Sequence, residues 1–436
     1  MYVGRFVYRT ATRVAAPLGA ALLATQPRHR PLLGRFRSPC DVLAGRRPLW
    51  VQACSVGEIN VARPLLARLR EVSAAPALLT TSTVTGWELA RGVGCADEVA
   101  WFPFDVPGAV DHFFGRMNPR VLILIETELW PNVLDAARRR GVPVAIVNGR
   151  LSDRHFRRYT RAGGWFRELV GSISVAGMQD ETYAQRIVGL GARPERVHVT
   201  GNLKFDGVGT ERDAAGPAAL RASCGWAETD PVVVFGSTRP GDEALAADCL
   251  RSLRGEFPRL RMAVAPRHLE RVEEAARALG SHAVVRRSAG PGRSEHDAEN
   301  PAILLIDTMG ELARFYALAT VAVIGGSFYP GVEGHNPIES AGLGVPTVFG
   351  PYMRNFDDAR RVLLNAGGAV QATDADDLAD VLRALLADGD RLGRIGERGR
   401  QAVMENRGAT ERTVDLLRPF LAEGEAGLPV VEDGAT

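Results

Sequence analysis

Short, wholly apolar runs alternate with amphipathic stretches along almost the whole of this chain, and that alternation leaves few folds open. A run too short for a helix and apolar on both faces needs cover on both sides. Helices placed between successive runs supply it, so the pattern predicts an α/β protein with parallel sheets. The runs fall at 49–53, 77–80, 98–102, 121–125, 142–147, 174–176 and 197–200. A second set follows at 232–235, 262–265, 283–285, 303–306, 321–324, 345–349 and 369–371. Between the sets, at 207–216, Gly, Thr, Asp and Ala replace the periodic pattern. A chain of 436 residues exceeds what one hydrophobic core organises. Two Rossmann-like doubly wound domains are therefore expected, at 39–206 and 217–421, joined by a linker at 207–216. Such domains bind ligands at the carboxyl ends of their strands, so the expected site is the cleft that the two halves face. A helical stretch from about 390 to 421 is expected to complete the second domain, with 422–436 as a mobile tail.

With 46% hydrophobic and 24% charged residues the composition is that of a folded globular protein, and a net charge of +2 gives no reason to expect nucleic acid as a partner. The five cysteines, Cys40, Cys54, Cys95, Cys224 and Cys249, are odd in number and lack metal-ligand spacing. They are expected to be reduced thiols of a cytosolic protein, with no disulfide, metal site or cofactor implied. At the N-terminus, Arg5, Arg9 and Arg13 precede the apolar stretch 14–24, and Arg28, Arg30, Arg35 and Arg37 follow it. That stretch is about half the length needed to cross a bilayer. Basic residues on both flanks argue against a cleaved signal peptide. Residues 1–38 are expected to carry a short helix lying on an anionic membrane surface. An ordinary packed helix and an unusual signal are the alternatives.

Lys204 is the one lysine among 53 basic residues. Against such an arginine bias a lysine either drifted in or serves where a compact ammonium does what a planar guanidinium cannot. It stands in Gly201-Asn202-Leu203-Lys204-Phe205-Asp206, directly after an apolar run. Earlier in the chain, Trp50 to Ala53 lead through Cys54-Ser55-Val56-Gly57 to Glu58 at the start of a helix. Glu58 reads either as a helix-capping acid or as a carboxylate displayed at the mouth of a strand. Glu126 and Glu128 emerge after another apolar run, beside Trp130, in an arrangement suited to general base work and to stabilising positive charge.

The second half carries features of a nucleotide site. Pro266-Arg267-His268 delivers an arginine to a strand end, where phosphate recognition wants it. Asp307-Thr308-Met309-Gly310-Glu311 follows another run and opens a helix, and Gly325-Gly326-Ser327 ends the next. In Gly334-His335-Asn336-Pro337-Ile338-Glu339 the Asn is a cap and the Pro lies in the first helical turn. Such an N-terminus attracts an anion, and Glu339 can accept from ribose hydroxyls. Gly236-Ser237-Thr238 reads as a turn.

These segments, taken together and in order with Gly350-Pro351 and Asn355-Phe356, resemble the 3-deoxy-D-manno-octulosonic acid (Kdo) transferases from about Trp50 to Phe356. The resemblance implies a GT-B glycosyltransferase fold. It implies inverting transfer of Kdo from CMP-Kdo to a lipid A precursor of the lipid IVA type, at the cytoplasmic face of the inner membrane. Glu58 matches the general base, and Glu128 and Lys204 match positions that stabilise the transition state. Pro266, Arg267, Met309, Gly310, Glu311, Asn336, Pro337, Ile338 and Glu339 match the segments that hold CMP. The chain departs from the family at Arg239, where a His usually follows the Ser-Thr pair, and its N-terminal region is less apolar than the usual anchor. A GT-B transferase or epimerase using a UDP-sugar is the rival enzyme, and a catalytically silent nucleotide-sugar binder is the rival of another class. Intact Glu58, Glu128 and Lys204 argue against the latter.

Overall fold

The computed structural model describes residues 2–36, 43–210, 215–280, 282–290 and 303–422. Cys40, residues 211–214 of the expected linker and 423–436 of the expected tail lie outside them. The chain forms two compact units, one comprising the residues up to Gly207 together with those from Arg407 onward, the other Val208–Asn406.

In the first unit, β1 (Leu49–Gln52), β2 (Ala77–Thr81), β3 (Glu98–Trp101), β4 (Val121–Ile125), β5 (Val144–Gly149), β6 (Val175–Met178) and β7 (Val197–Val199) pair in the order β3-β2-β1-β4-β5-β6-β7. Every pair is parallel. Each residue of β1, β2, β4, β5 and β6 is buried, as double cover by helices requires. In the helix Val56–Val72 the buried stripe is Ile59, Ala62, Leu65, Leu66 and Leu69, at the spacing of one helical face. Burying one such side chain stabilises by roughly 1.5–3 kcal/mol. The strand order reverses direction between β1 and β4, which makes their carboxyl ends the first unit's natural ligand position.

The second unit repeats the plan. Its strands are β8 (Val232–Thr238), β9 (Arg261–Pro266), β10 (Val284–Arg286), β11 (Ile303–Leu305), β12 (Val321–Ile324), β13 (Thr347–Phe349) and β14 (Ala369–Gln371), ordered β10-β11-β9-β8-β12-β13-β14 and again all parallel. Here the switch lies between β8 and β12. Gly236-Ser237-Thr238, expected as a turn, belongs to β8. The register shifts between Gly236 and Thr238, and Ser237 takes a left-handed backbone at φ 57°. A bulge of this kind re-aims side chains at the end of a strand.

Two expectations are corrected. The helical stretch 390–421 is two helices, Gly389–Glu405 and Ala409–Leu417, parted by Gly408 at φ 83°. The second belongs to the first unit: Ala409, Val414 and Leu417 join the apolar cluster of Val51, Leu66 and Ile123. Asp206 accepts from the N–H groups of Gly408 (2.6 Å) and Thr410 (2.5 Å), capping a helix whose own N-cap, Gly408, has no side chain. Amphipathic periodicity says that a face must be covered and is silent on which sheet covers it.

The N-terminal helix is also longer than the apolar stretch suggested, running Tyr2–Thr25, and its polar face points inward. Arg5 and Arg9 meet the buried carboxylate of Asp135 at 2.6 and 2.8 Å, and the Tyr8 hydroxyl donates to Asp105 at 2.8 Å. These arginines are therefore spent within the protein and not offered to lipid. Val3, Phe6, Val7, Val14, Leu18 and Leu22 are each more than half exposed. No helix among the described residues is long and apolar enough to cross a membrane.

Candidate active site

At the first switch point, β1 passes through Cys54 and Ser55 into the helix Val56–Val72, and β4 delivers Glu126, Thr127 and Glu128. Ser55 is the extended N-cap, and its hydroxyl donates to Glu58 Oε1 at 3.0 Å, while the Cys54 N–H donates to Oε2 at 2.7 Å. The Glu58 carboxyl thus folds back onto the turn that leads from β1 into the helix, at the mouth of the strand, while the Ser55 side chain itself makes no helix-capping bond. Burial, with the charges of Glu126 and Glu128 added, pushes Glu58 up to about 8 in spite of those two donors. Burial likewise raises Glu128, whose Oε2 accepts the Trp130 indole N–H at 2.8 Å. Glu126 starts the loop in a left-handed conformation, φ 60°, which turns the chain sharply off the end of β4.

Two neighbours escaped the sequence reading. Arg35, grouped there with lipid-facing residues, is 8% exposed. Its Nε donates to the Phe102 carbonyl at 2.9 Å and its guanidinium lies 4.2 Å from the centre of the Phe104 ring. Burial brings it down to about 10, with Cys54 and Glu128 opposing the shift. Burial, with Glu128 and Glu58 adding to it, pushes the Cys54 thiol up to about 12. Cys54 Sγ and one carboxylate oxygen each of Glu58 and Glu128 lie within 4.8 Å of one another, a grouping that could in principle grip a metal ion. The Arg35 guanidinium already places a positive charge beside Cys54 and Glu128 in this grouping.

Lys204 comes from the far edge of the sheet, after β7. Its neighbours Leu203 and Phe205 are 1% exposed, and Leu203 packs in the cluster that holds Ile59, the residue after Glu58. The Asn202 side chain accepts the Lys204 N–H at 3.0 Å.

In the second unit, β9 ends in buried Pro266 and exposed Arg267, whose N–H donates to the Thr238 carbonyl at 3.1 Å. Glu339 is raised by burial, while the Asn336 amide (3.1 Å) and the charge of Arg267 oppose the rise. Pro337 and Ile338 are buried. The helix Ile338–Gly342 has only five residues, so little dipole is available there. Positive potential comes instead from side chains. His335 is driven down to about 4 by burial and by Arg267, Arg239 and His268. His335 Nε2 and Arg239 Nε are both buried without a hydrogen-bond partner. Gly326, at φ 67°, is required where they meet, because a Cβ would come within 2.7 Å of Val332 and 3.1 Å of His335. Buried Asp242 ties the two switch-point loops together, accepting from the N–H groups of Arg239 (2.8 Å) and Gly326 (2.7 Å). The structure thus brings Arg267, Asn336 and Glu339 together. Met309 to Glu311 stand one strand away, after β11: Met309 is 78% exposed, and Glu311 is engaged by Thr308, Arg287 and Arg314. The hydrogen bonds from Thr308 and Arg287 hold Glu311 low against the effect of its burial.

Two parallel sheets, each with polar residues gathered at its switch point, define the GT-B class. The UDP-GlcNAc 2-epimerase of Neisseria meningitidis shares this architecture at a TM-score of 0.54 and 12% identity, over 85% of this chain and 99% of that one. Residues 16–207 match the family described as 3-deoxy-D-manno-octulosonic-acid transferase (kdotransferase). The transferases of Bordetella pertussis (36% identical, over 96% of this chain and all of that one) and Haemophilus influenzae (31%, 96% and 99%) match almost end to end. The chain belongs to the 3-deoxy-D-manno-octulosonic acid transferase family.

Proposed function

We propose that this protein transfers Kdo from CMP-Kdo to a lipid A precursor of the lipid IVA type, with Glu58 as the base. The observation that carries the reading is a carboxyl poised near pH 8 by burial and by two acids at the switch point of the first sheet. The acceptor hydroxyl attacks the anomeric carbon of Kdo and gives its proton to Glu58. The bond from that carbon to the phosphate breaks, and its electron pair leaves with CMP. Glu128 and the ammonium of Lys204 stabilise the charge that develops on the sugar and the departing phosphate. Arg267, with Arg239 and His335 beside it, receives the phosphate, and Asn336 and Glu339 hold the ribose. Pro266, Pro337 and Ile338 shape the site, and Met309 to Glu311 lie against the cytosine of CMP.

The exposed apolar face of the helix Tyr2–Thr25 adsorbs to the membrane that carries the acceptor, at its cytoplasmic side. Incubation of the full chain with in situ generated CMP-Kdo and lipid IVA, read by mass spectrometry, should add the mass of Kdo to the lipid. Affinity for UDP equal to that for CMP, with no lipid product, would defeat the proposal.

A further inference from the structure

We propose that Asn148 and Gln179 are positioning residues that hold Lys204 in register with the carboxylates of the first unit, an inference that rests on the role given to Lys204 above. Asn148, the next-to-last residue of β5, lies within a register shift and has a left-handed backbone, φ 54°. Outside glycine this conformation is uncommon, though Asn adopts it more readily than most residues. The side chain is fully buried. Its Oδ1 accepts the Leu203 N–H at 3.0 Å. Its main-chain oxygen accepts from Gln179 Nε2 at 3.0 Å, Gln179 Oε1 accepts from Asn202 Nδ2 at 3.3 Å, and Asn202 Oδ1 accepts the Lys204 N–H. Two consecutive backbone amides of the Lys204 loop are thus fixed, one by Asn148 directly and one through a relay of two further amides.

The other end of the relay meets the acid loop. Val147, just before Asn148, accepts the Glu126 N–H at 2.9 Å. Thr127 and Arg150 then exchange two hydrogen bonds, at 2.8 and 3.0 Å, on the far side of the same turn. Asn148 therefore stands in the hydrogen-bonded path from Glu126–Glu128 to Lys204. Packing alone does not account for it. Asn148 Nδ2 is buried without a partner, a desolvation cost that a glycine would avoid. What an asparagine adds is the oxygen that holds the Leu203 N–H.

Transfer kinetics of five variants test this. Asn148→Gly keeps the left-handed backbone free of strain while deleting the oxygen, and Gln179→Met cuts the relay at a different strand end with little change of volume. Each is made alone and with Lys204→Ala, and circular dichroism verifies folding. Each single variant should lower kcat about ten- to a hundredfold, the scale of misplacing a reacting group by roughly an ångström, with KM for CMP-Kdo within about threefold of wild type. In the Lys204→Ala background the same substitutions should lower kcat less than about twofold, because no ammonium is left to misplace. Equal losses in both backgrounds, or full kcat in the folded single variants, would overturn the positioning role alone. Wild-type turnover by Lys204→Ala would overturn the reading of Lys204, and this inference with it.

Discussion

Replacing Glu58 by glutamine separates what this carboxyl contributes to chemistry from what it takes from stability. Its ordinary value of 4.5 is raised to about 8 in the folded chain. At about 1.4 kcal/mol per pH unit, and after discounting for the solvent that still reaches it, ionising Glu58 in place costs on the order of 2–4 kcal/mol. A folded value above the unfolded one means that the stability lent by protonated Glu58 is complete below about 4.5 and is lost as pH rises through about 8. Glutamine keeps the shape and carries no charge. Glu58→Gln should therefore match wild type near pH 4.5 and be the more stable by a margin that grows up to about pH 8 and then levels off, each kcal/mol being worth about 2–4 °C in Tm. Turnover should move the other way. A base must be deprotonated to act, so wild-type kcat/KM should rise with pH and level off above about 8, and the variant should lose about a hundredfold or more. Differential scanning calorimetry from pH 4.5 to 9 and initial rates over a range compatible with the lipid provide both readouts. A Tm difference that does not change with pH would refute the electrostatic account, and turnover within threefold of wild type would remove Glu58 from the chemistry.

Other perturbations bear on the remaining parts of the site. Arg267→Ala should weaken CMP binding by about 1.5–3 kcal/mol, the worth of a charged hydrogen bond, and unchanged affinity by calorimetry would clear Arg267 of phosphate recognition. Lys204→Arg should lose most turnover at nearly constant CMP affinity, since a broad guanidinium misplaces the sugar that a compact ammonium holds, and a fully active Arg variant would reduce the lysine to drift. Phe6→Glu with Leu18→Glu should abolish sedimentation with anionic vesicles, because both side chains are at least 70% exposed. Arg5→Ala should instead lower Tm by stripping a partner from buried Asp135. Vesicle binding that follows Arg5 and ignores Phe6 would reverse that reading of the helix.

The strands were legible because runs such as Val121 to Ile125 are apolar on both faces, and turn residues close them. Their order across the sheets was not, since register depends on partners far away in the chain. Glu58, Glu128, Arg267 and Glu339 could be noticed because each directly follows a strand or opens a helix. Arg35 was misread because a basic residue near a basic cluster looks like one more surface charge, and its burial depends on Phe102, 67 residues away. Asn148 and Gln179 offered a fainter signal, an amide side chain at or just after the end of an apolar strand. Their meaning depends on a loop more than twenty residues downstream.

The return of Ala409–Leu417 to the first unit makes Val208–Asn406 an insertion within a discontinuous domain. During synthesis the half that begins first is therefore completed last. Roughly 200 residues must emerge before the closing helix can cover its share of Val51 and Leu66 and receive its cap from Asp206. At about 5–20 residues per second that is a wait of roughly 10–40 s. Premature termination anywhere before Arg407 leaves the sheet that carries Glu58 and Glu128 without part of its cover, even when Val208–Asn406 is whole. Translation must pass Leu417 before the sheet that carries Glu58 has its full cover.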